Sequence, residues 1–120
     1  MENEKTKKRF DLLPGTLEML ILKSLESNVM HGYGIAQHIQ RLSQDVLQVE
    51  EGSLYPALQR LQVKGWVVSE WGHSANNRRA RYYRLTPAGR KQLGQEVANF
   101  NRLLEAILRV MEGPEGETAR

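Results

Sequence analysis

The chain has 120 residues, 40% apolar and 26% charged, values that fit one small folded domain and exclude an intrinsically disordered chain. Cysteine is absent, which excludes disulfides, thiolate metal sites and cysteine nucleophiles and fits a reducing cytoplasm. The net charge is only +3, yet residues 60–91 carry eight Lys or Arg against the single acid Glu70, an excess of +7 in one stretch. A patch of that kind attracts polyanions: nucleic acid, an anionic membrane surface or an acidic protein.

The charged opening MENEKTKKRF has no apolar core and does not read as a secretory signal. No run of about 18 apolar residues is present to span a membrane, so no membrane partner is expected. His31, His38 and His73 form no zinc pattern, and neither a metal site nor a cofactor is expected.

Residues 1–11 read as a flexible basic tail. A first helix follows, with Thr16 as its N-cap and a broad apolar stripe through Leu17, Leu20, Ile21 and Leu25; Ser27-Asn28 ends it. His31-Gly32-Tyr33-Gly34 opens a second helix with Ile35, Ile39 and Leu42 on one face. Its Gly-x-Gly follows no strand and has no third glycine, so it reads as a turn and a tight helix approach, not a dinucleotide fingerprint.

The third helix opens at Glu50-Glu51-Gly52-Ser53, with Ser53 as the cap and Leu54, Tyr55 and Pro56 in the first turn, and it closes at Lys64-Gly65. Leu54, Leu58 and Leu61 share one face. Ser53, Pro56, Gln59, Arg60 and Val63 point away from it, with Tyr55 and Gln62 on a flank. The period then changes. Trp66–Trp71 and Arg81–Leu85 are β-branched and aromatic, and residues 72–79 between them have turn composition, so a β-hairpin with a long tip is expected. Trp66 is expected to pack between hairpin and core, and Trp71 to be more open.

Thr86-Pro87 is a strong helix start, and Gly113-Pro114 stops that helix near Glu112. Such a helix spans roughly 39 Å, long for a domain of this size. Leu93, Val97, Phe100, Leu104, Ile107 and Met111 follow one another at steps of four and three, the a/d seam of a helical dimer. Residues 113–120 read as a disordered tail.

The fold class is therefore mainly α with a small β-hairpin. Residues 12–86 are expected to form a winged helix-turn-helix, and residues 87–112 a dimerisation helix. In that architecture the third helix enters the DNA major groove and the hairpin wing meets the flanking backbone or minor groove. The basic stretch begins at Arg60 on the third helix and covers the whole hairpin. Ser53, Tyr55, Gln59 and Arg60 are the expected reading surface, with Lys64 at the helix end and Arg78, Arg79 and Arg81 on the wing. Tyr33 joins them from the second helix. Two-fold symmetry would place two such helices on a pseudo-palindromic duplex, about 34–36 Å apart. Val97 and Phe100, near the dimer axis, would line an apolar pocket for a small effector. The alternative is a winged-helix protein–protein module whose basic wing grips an acidic partner. It would carry apolar anchors on the third helix, where Ser, Gln, Arg and one Val stand instead. No catalytic constellation or phosphate loop supports an enzyme.

Four segments in order resemble one bacterial family. They are Leu13-Pro14-Gly15-Thr16-Leu17-Glu18 through Leu22, His31-Gly32-Tyr33-Gly34-Ile35, Gly52-Ser53-Leu54-Tyr55-Pro56-Ala57-Leu58 with Leu61, and Arg81-Tyr82-Tyr83-Arg84-Leu85-Thr86 with Gly89. Together they look like the PadR transcriptional regulators, over about residues 12–112. The resemblance implies a winged helix-turn-helix homodimer that represses transcription at an operator, with relief in many members by a small effector or a stress signal. The single last helix resembles the short subfamily. Ala75-Asn76-Asn77 stands where many members carry Gly-Pro or Gly-Gly in the wing tip, and Phe100 where some drug-binding members carry Trp.

Overall fold

The computed structural model describes residues 10–12 and 15–114. The elements run β1 (Phe10–Asp11), α1 (Thr16–Ser24), β2 (Met30–His31), α2 (Gly32–Leu42), β3 (Leu47–Gln48), α3 (Glu51–Val63), β4 (Val67–His73), β5 (Arg79–Leu85) and α4 (Pro87–Glu112). This is the winged helix-turn-helix order, with a long last helix. No helix among the described residues is long and apolar enough to cross a membrane.

Leu17, Ile21 and Leu22 of α1, Ile35 and Ile39 of α2, and Leu54, Ala57, Leu58 and Leu61 of α3 bury one another. Val67, Tyr83 and Leu85 close the core from the sheet. Trp66 is partly buried against the same cluster, as expected between wing and core. The one buried polar side chain among the described residues, Ser24, donates its hydroxyl to the Leu20 carbonyl at 2.8 Å.

Two helix starts differ from the sequence expectation. Thr16 is the first helical residue of α1, and Gly15, at φ 87°, is the cap. Glycine tolerates that left-handed φ without the Cβ clash other residues meet. Likewise α3 begins at Glu51 with the extended Glu50 as its cap, so Ser53 is the third helical residue and Pro56 the sixth. The Glu50 carbonyl accepts from the N–H groups of Ser53 and Leu54 at 3.0 and 2.9 Å. The cap of α2 is a side chain: His31 Nδ1 accepts from the Gly34 N–H at 2.9 Å. Helix α3 ends in a Schellman pattern, with Gly65 at φ 79° and the Trp66 N–H bonded to the Leu61 carbonyl at 3.0 Å.

The sheet has three strands in the order β2-β5-β4, all antiparallel. Its third strand, Met30–His31 against Tyr83 and Tyr82, is too short to be read from sequence. The hairpin strands also run further than expected. Trp71 pairs with Arg81, Gly72 with Ala80 and His73 with Arg79, so the tip is residues 74–78, not 72–79. Asn77, at φ 62°, makes the left-handed step that closes the tip, with its N–H on the Ser74 carbonyl at 2.9 Å. Phe10 and Asp11, counted above with the basic tail, pair their backbones with Leu47 and Gln48, so the folded domain starts at least two residues earlier. The rest of that tail, residues 1–9, and residues 115–120 lie outside the described residues.

Helix α4 has the expected bounds. Thr86 caps it by accepting from the Gly89 N–H at 2.9 Å, and the same hydroxyl donates to the Gly65 carbonyl at 2.7 Å. Thr86 thus ties the start of α4 to the end of α3. Gly89 is forced by contact: a Cβ there would lie 2.0 Å from the Trp66 carbonyl oxygen. Leu93, placed above in the dimer seam, is instead only 3% exposed and belongs to the core of its own protomer. Beyond it the helix leaves the domain, and Val97, Phe100, Leu104, Ile107 and Met111 are exposed along one seam.

Candidate nucleic-acid interface

The candidate interface centres on α3. Its buried face is Leu54, Ala57, Leu58 and Leu61, so helical geometry turns Gly52, Pro56, Gln59 and Val63 outward, and all four are exposed. Tyr55 sits on the α2 flank of that face. It lies over Gly32, where an added Cβ would stand 2.6 Å from the tyrosine hydroxyl oxygen. The Gly-x-Gly of α2 is thereby explained as a close helix approach. Burial, followed by the nearby Glu51 carboxylate, pushes the Tyr55 hydroxyl above its ordinary pKa, and burial does the same for Tyr83. Both remain protonated donors at neutral pH.

Arg60 and Lys64 lie on the opposite flank, toward α1. The Arg60 Nε is 2.6 Å from a Glu18 carboxylate oxygen, and the Lys64 Nζ is 3.9 Å from the other. Lys64 also stands 4.9 Å from the Trp66 ring centroid. These two cations, expected to face DNA freely, share one carboxylate of the domain.

The wing carries four more basic residues, Arg78, Arg79, Arg81 and Arg84. Along β5 the side chains alternate, and Arg79, Arg81, Tyr83 and Leu85 share one face of the sheet. Leu85 and Tyr83 cover the core. Beyond its edge the same face continues as Arg81 and Arg79, with Trp71 across the hairpin opposite Arg81. No carboxylate of the described residues forms an ion pair with Arg78, Arg79 or Arg81.

An open groove of about 910 Å³ runs between this wing face and the α2–α3 pair. It brings together Tyr33, Tyr55, Arg78, Arg79 and Arg81, five of the nine residues expected to meet DNA. Tyr33 is 61% exposed at its rim. Gln59 lies beyond it on the outward face of α3. Ser53 turns away, to a smaller depression lined by Leu12, Leu17, Gln48, Val49 and Glu50. His31, Gln37 and Trp71 also line the groove, and sequence reasoning did not place them there. For Trp71 a signal existed: pairing Leu85 with Val67 and counting outward puts Trp71 opposite Arg81. Among the described residues no cluster of His, Asp or Glu could hold a metal ion.

The comparisons with known proteins agree with this fold. The model of the transcriptional regulator PadR-like family matches residues 21–95. Transcriptional regulator Rv3488 of Mycobacterium tuberculosis is 37% identical over 99 residues, covering 82% of this chain and 85% of that protein. Among solved structures, smu.1704 from Streptococcus mutans superposes with a TM-score of 0.76 at 27% identity, over 87% of this chain and 93% of that one. A PadR family transcriptional regulator from Eggerthella lenta gives a TM-score of 0.69 at 29% identity, over 83% and 85%. A winged helix-turn-helix with one long last helix, matched by the family model over most of its length, belongs to the PadR-like family of transcriptional regulators.

Proposed function

We propose that this regulator is a cytoplasmic homodimer that represses transcription by binding a pseudo-palindromic operator in double-stranded DNA. The observation that carries the reading is the groove itself. Three arginines that no described carboxylate pairs with, and the tyrosines Tyr33 and Tyr55, line one channel beside the outward face of α3. Arginines and hydroxyls are the donors that meet phosphate oxygens, and Gln59 can pair with a base edge.

The dimer reading is supported by α4. Val97 is 36% exposed, Phe100 40% and Ile107 47%, on a helix that has already left its own domain. A second copy laid on that seam would bury the remaining third to half of each side chain, and so gain only that fraction of the about 1.5–3 kcal/mol that full burial of such a side chain gives. Val97 and Phe100, on the seam, are the place for a small aromatic or apolar effector, which would release the operator by changing the helix spacing.

The test is a fluorescence titration against the DNA upstream of the protein's own gene, beside scrambled DNA, at two salt concentrations. Specific binding should exceed scrambled by about 10³ or more and weaken with salt. Equal weak binding to both would overturn the operator reading and favour a basic wing used on an acidic protein.

A further inference from the structure

Trp71 is 53% exposed, large and apolar, in the outer half of β4. Its ring is not idle. The Arg79 guanidinium carbon lies 4.4 Å from the ring centroid and that of Arg81 5.1 Å. Both distances are within reach of a cation–π attraction, for which tryptophan is the strongest of the aromatic rings. Two like charges are thus gathered on one indole, with no described carboxylate in an ion pair with either.

The opposite face of the hairpin holds the indole-bearing strand in register. Gly72 leaves room for the Tyr82 ring, which an added Cβ would meet at 3.0 Å. The Tyr82 hydroxyl donates to the His73 carbonyl at 3.0 Å, and the Tyr82 ring stands edge-on to His31 at 5.4 Å between centroids. His31 caps α2. The wing is therefore linked through Tyr82 to the helix on the far wall of the groove.

We infer that Trp71 is the positioning residue of the wing: it holds the Arg79 and Arg81 guanidiniums at a set spacing along the groove, ready to engage one sugar–phosphate strand of duplex DNA. An arginine side chain free in water must lose rotamer freedom when it binds, and one already stacked on a ring has lost much of it beforehand. The inference rests on the DNA-binding reading above and adds a residue to it.

A double-mutant cycle tests it with a fluorescein-labelled duplex at low salt. Trp71→Leu should weaken binding about fivefold in the parent, and Trp71→Phe by less, because phenylalanine keeps a weaker ring face. In an Arg79→Ala, Arg81→Ala background Trp71→Leu should then cost nothing further. An equal loss in both backgrounds would overturn the inference, because Trp71 would be touching DNA directly or merely stabilising the hairpin. No loss in the parent would overturn it as well. A parent that binds no duplex brings down the DNA reading and this role together, whereas a parent that binds normally with an additive cycle removes the positioning role alone. In the free protein, the Arg79 and Arg81 side-chain proton resonances should carry ring-current shifts that vanish in Trp71→Leu. Unshifted resonances in the parent would overturn the stack itself.

Discussion

Arg60 and Glu18, forty-two positions apart in the chain, form an ion pair of 2.6 Å that joins α3 to α1. The carboxylate is mostly covered, with a side-chain exposure of 12%, while the guanidinium is half exposed at 52%. Lys64 approaches the second oxygen of the same carboxylate. One acid therefore restrains two of the cations on α3 that a phosphate would otherwise attract.

Replacing Glu18 by Gln should release both. Non-specific affinity for duplex DNA should rise severalfold at low salt, and the slope of log K against log salt should steepen by up to about two contacts, near −0.9 each. The cost in stability should stay at about 1 kcal/mol or less, because the cationic partners are half exposed. Anisotropy titrations at several salt concentrations and a urea melt measure the two effects. An unchanged salt slope would mean that Arg60 and Lys64 do not reach phosphate.

The wing arginines make the opposite prediction. Arg78→Ala with Arg79→Ala should weaken binding to every sequence and flatten the salt slope by about two contacts' worth. Discrimination between operator and scrambled DNA should change far less than affinity, since backbone contacts carry no direct sequence information. The same titrations decide this, and a loss confined to the operator would instead assign these residues to base reading.

These cases show what was legible beforehand and what was not. Helix α4 was readable to the residue because Thr86-Pro87 and Gly113-Pro114 punctuate it on both sides. The α3 faces followed from the spacing of Leu54, Leu58 and Leu61. The Arg60–Glu18 pair was hidden because a helical wheel shows only which way a side chain points, not what another helix brings to it. Leu93 was misassigned for a related reason. The step from Leu93 to Val97 keeps the seam in phase while the helix passes from its own core into the open, so the pattern carries no mark of that boundary. Ser53 and Thr16 looked like caps by residue type, yet backbone geometry gave the role to Glu50 and to Gly15 at φ 87°. The wing tip looked longer because Gly72-His73 read as turn and Arg79 was counted with it, whereas strand pairing extends through them.

Two glycines on α4 separate contact from propensity. Gly89→Ala would push a methyl group to 2.0 Å from the Trp66 carbonyl, so the first turn of α4 must move off the sheet. A loss of about 2–4 kcal/mol is expected, in the range of strongly destabilising single substitutions. At Gly94 an added Cβ meets nothing within 4 Å, and Gly94→Ala should stabilise by about 0.5–1 kcal/mol through helix propensity alone. Denaturant melts of both variants check the pair. Destabilisation by Gly94→Ala would place that position beneath a second copy of the chain.

Phe100→Asp tests the seam itself. Phe100 stands midway between Val97 and Leu104, 40% exposed and well past the last residue that α4 buries in its own domain. Within one protomer the change therefore removes little packing, and the monomer's fold should survive with its helical circular dichroism intact. Across a two-fold axis each carboxylate would sit against apolar neighbours from the other copy, where an unpaired charge is costly. Sedimentation at micromolar concentration should then show a monomer where the parent is a dimer, and operator affinity should fall because two half-sites are no longer bound as a unit. A variant that remains dimeric would move the dimer contact away from this stripe and leave the exposed Phe100 face to some other partner.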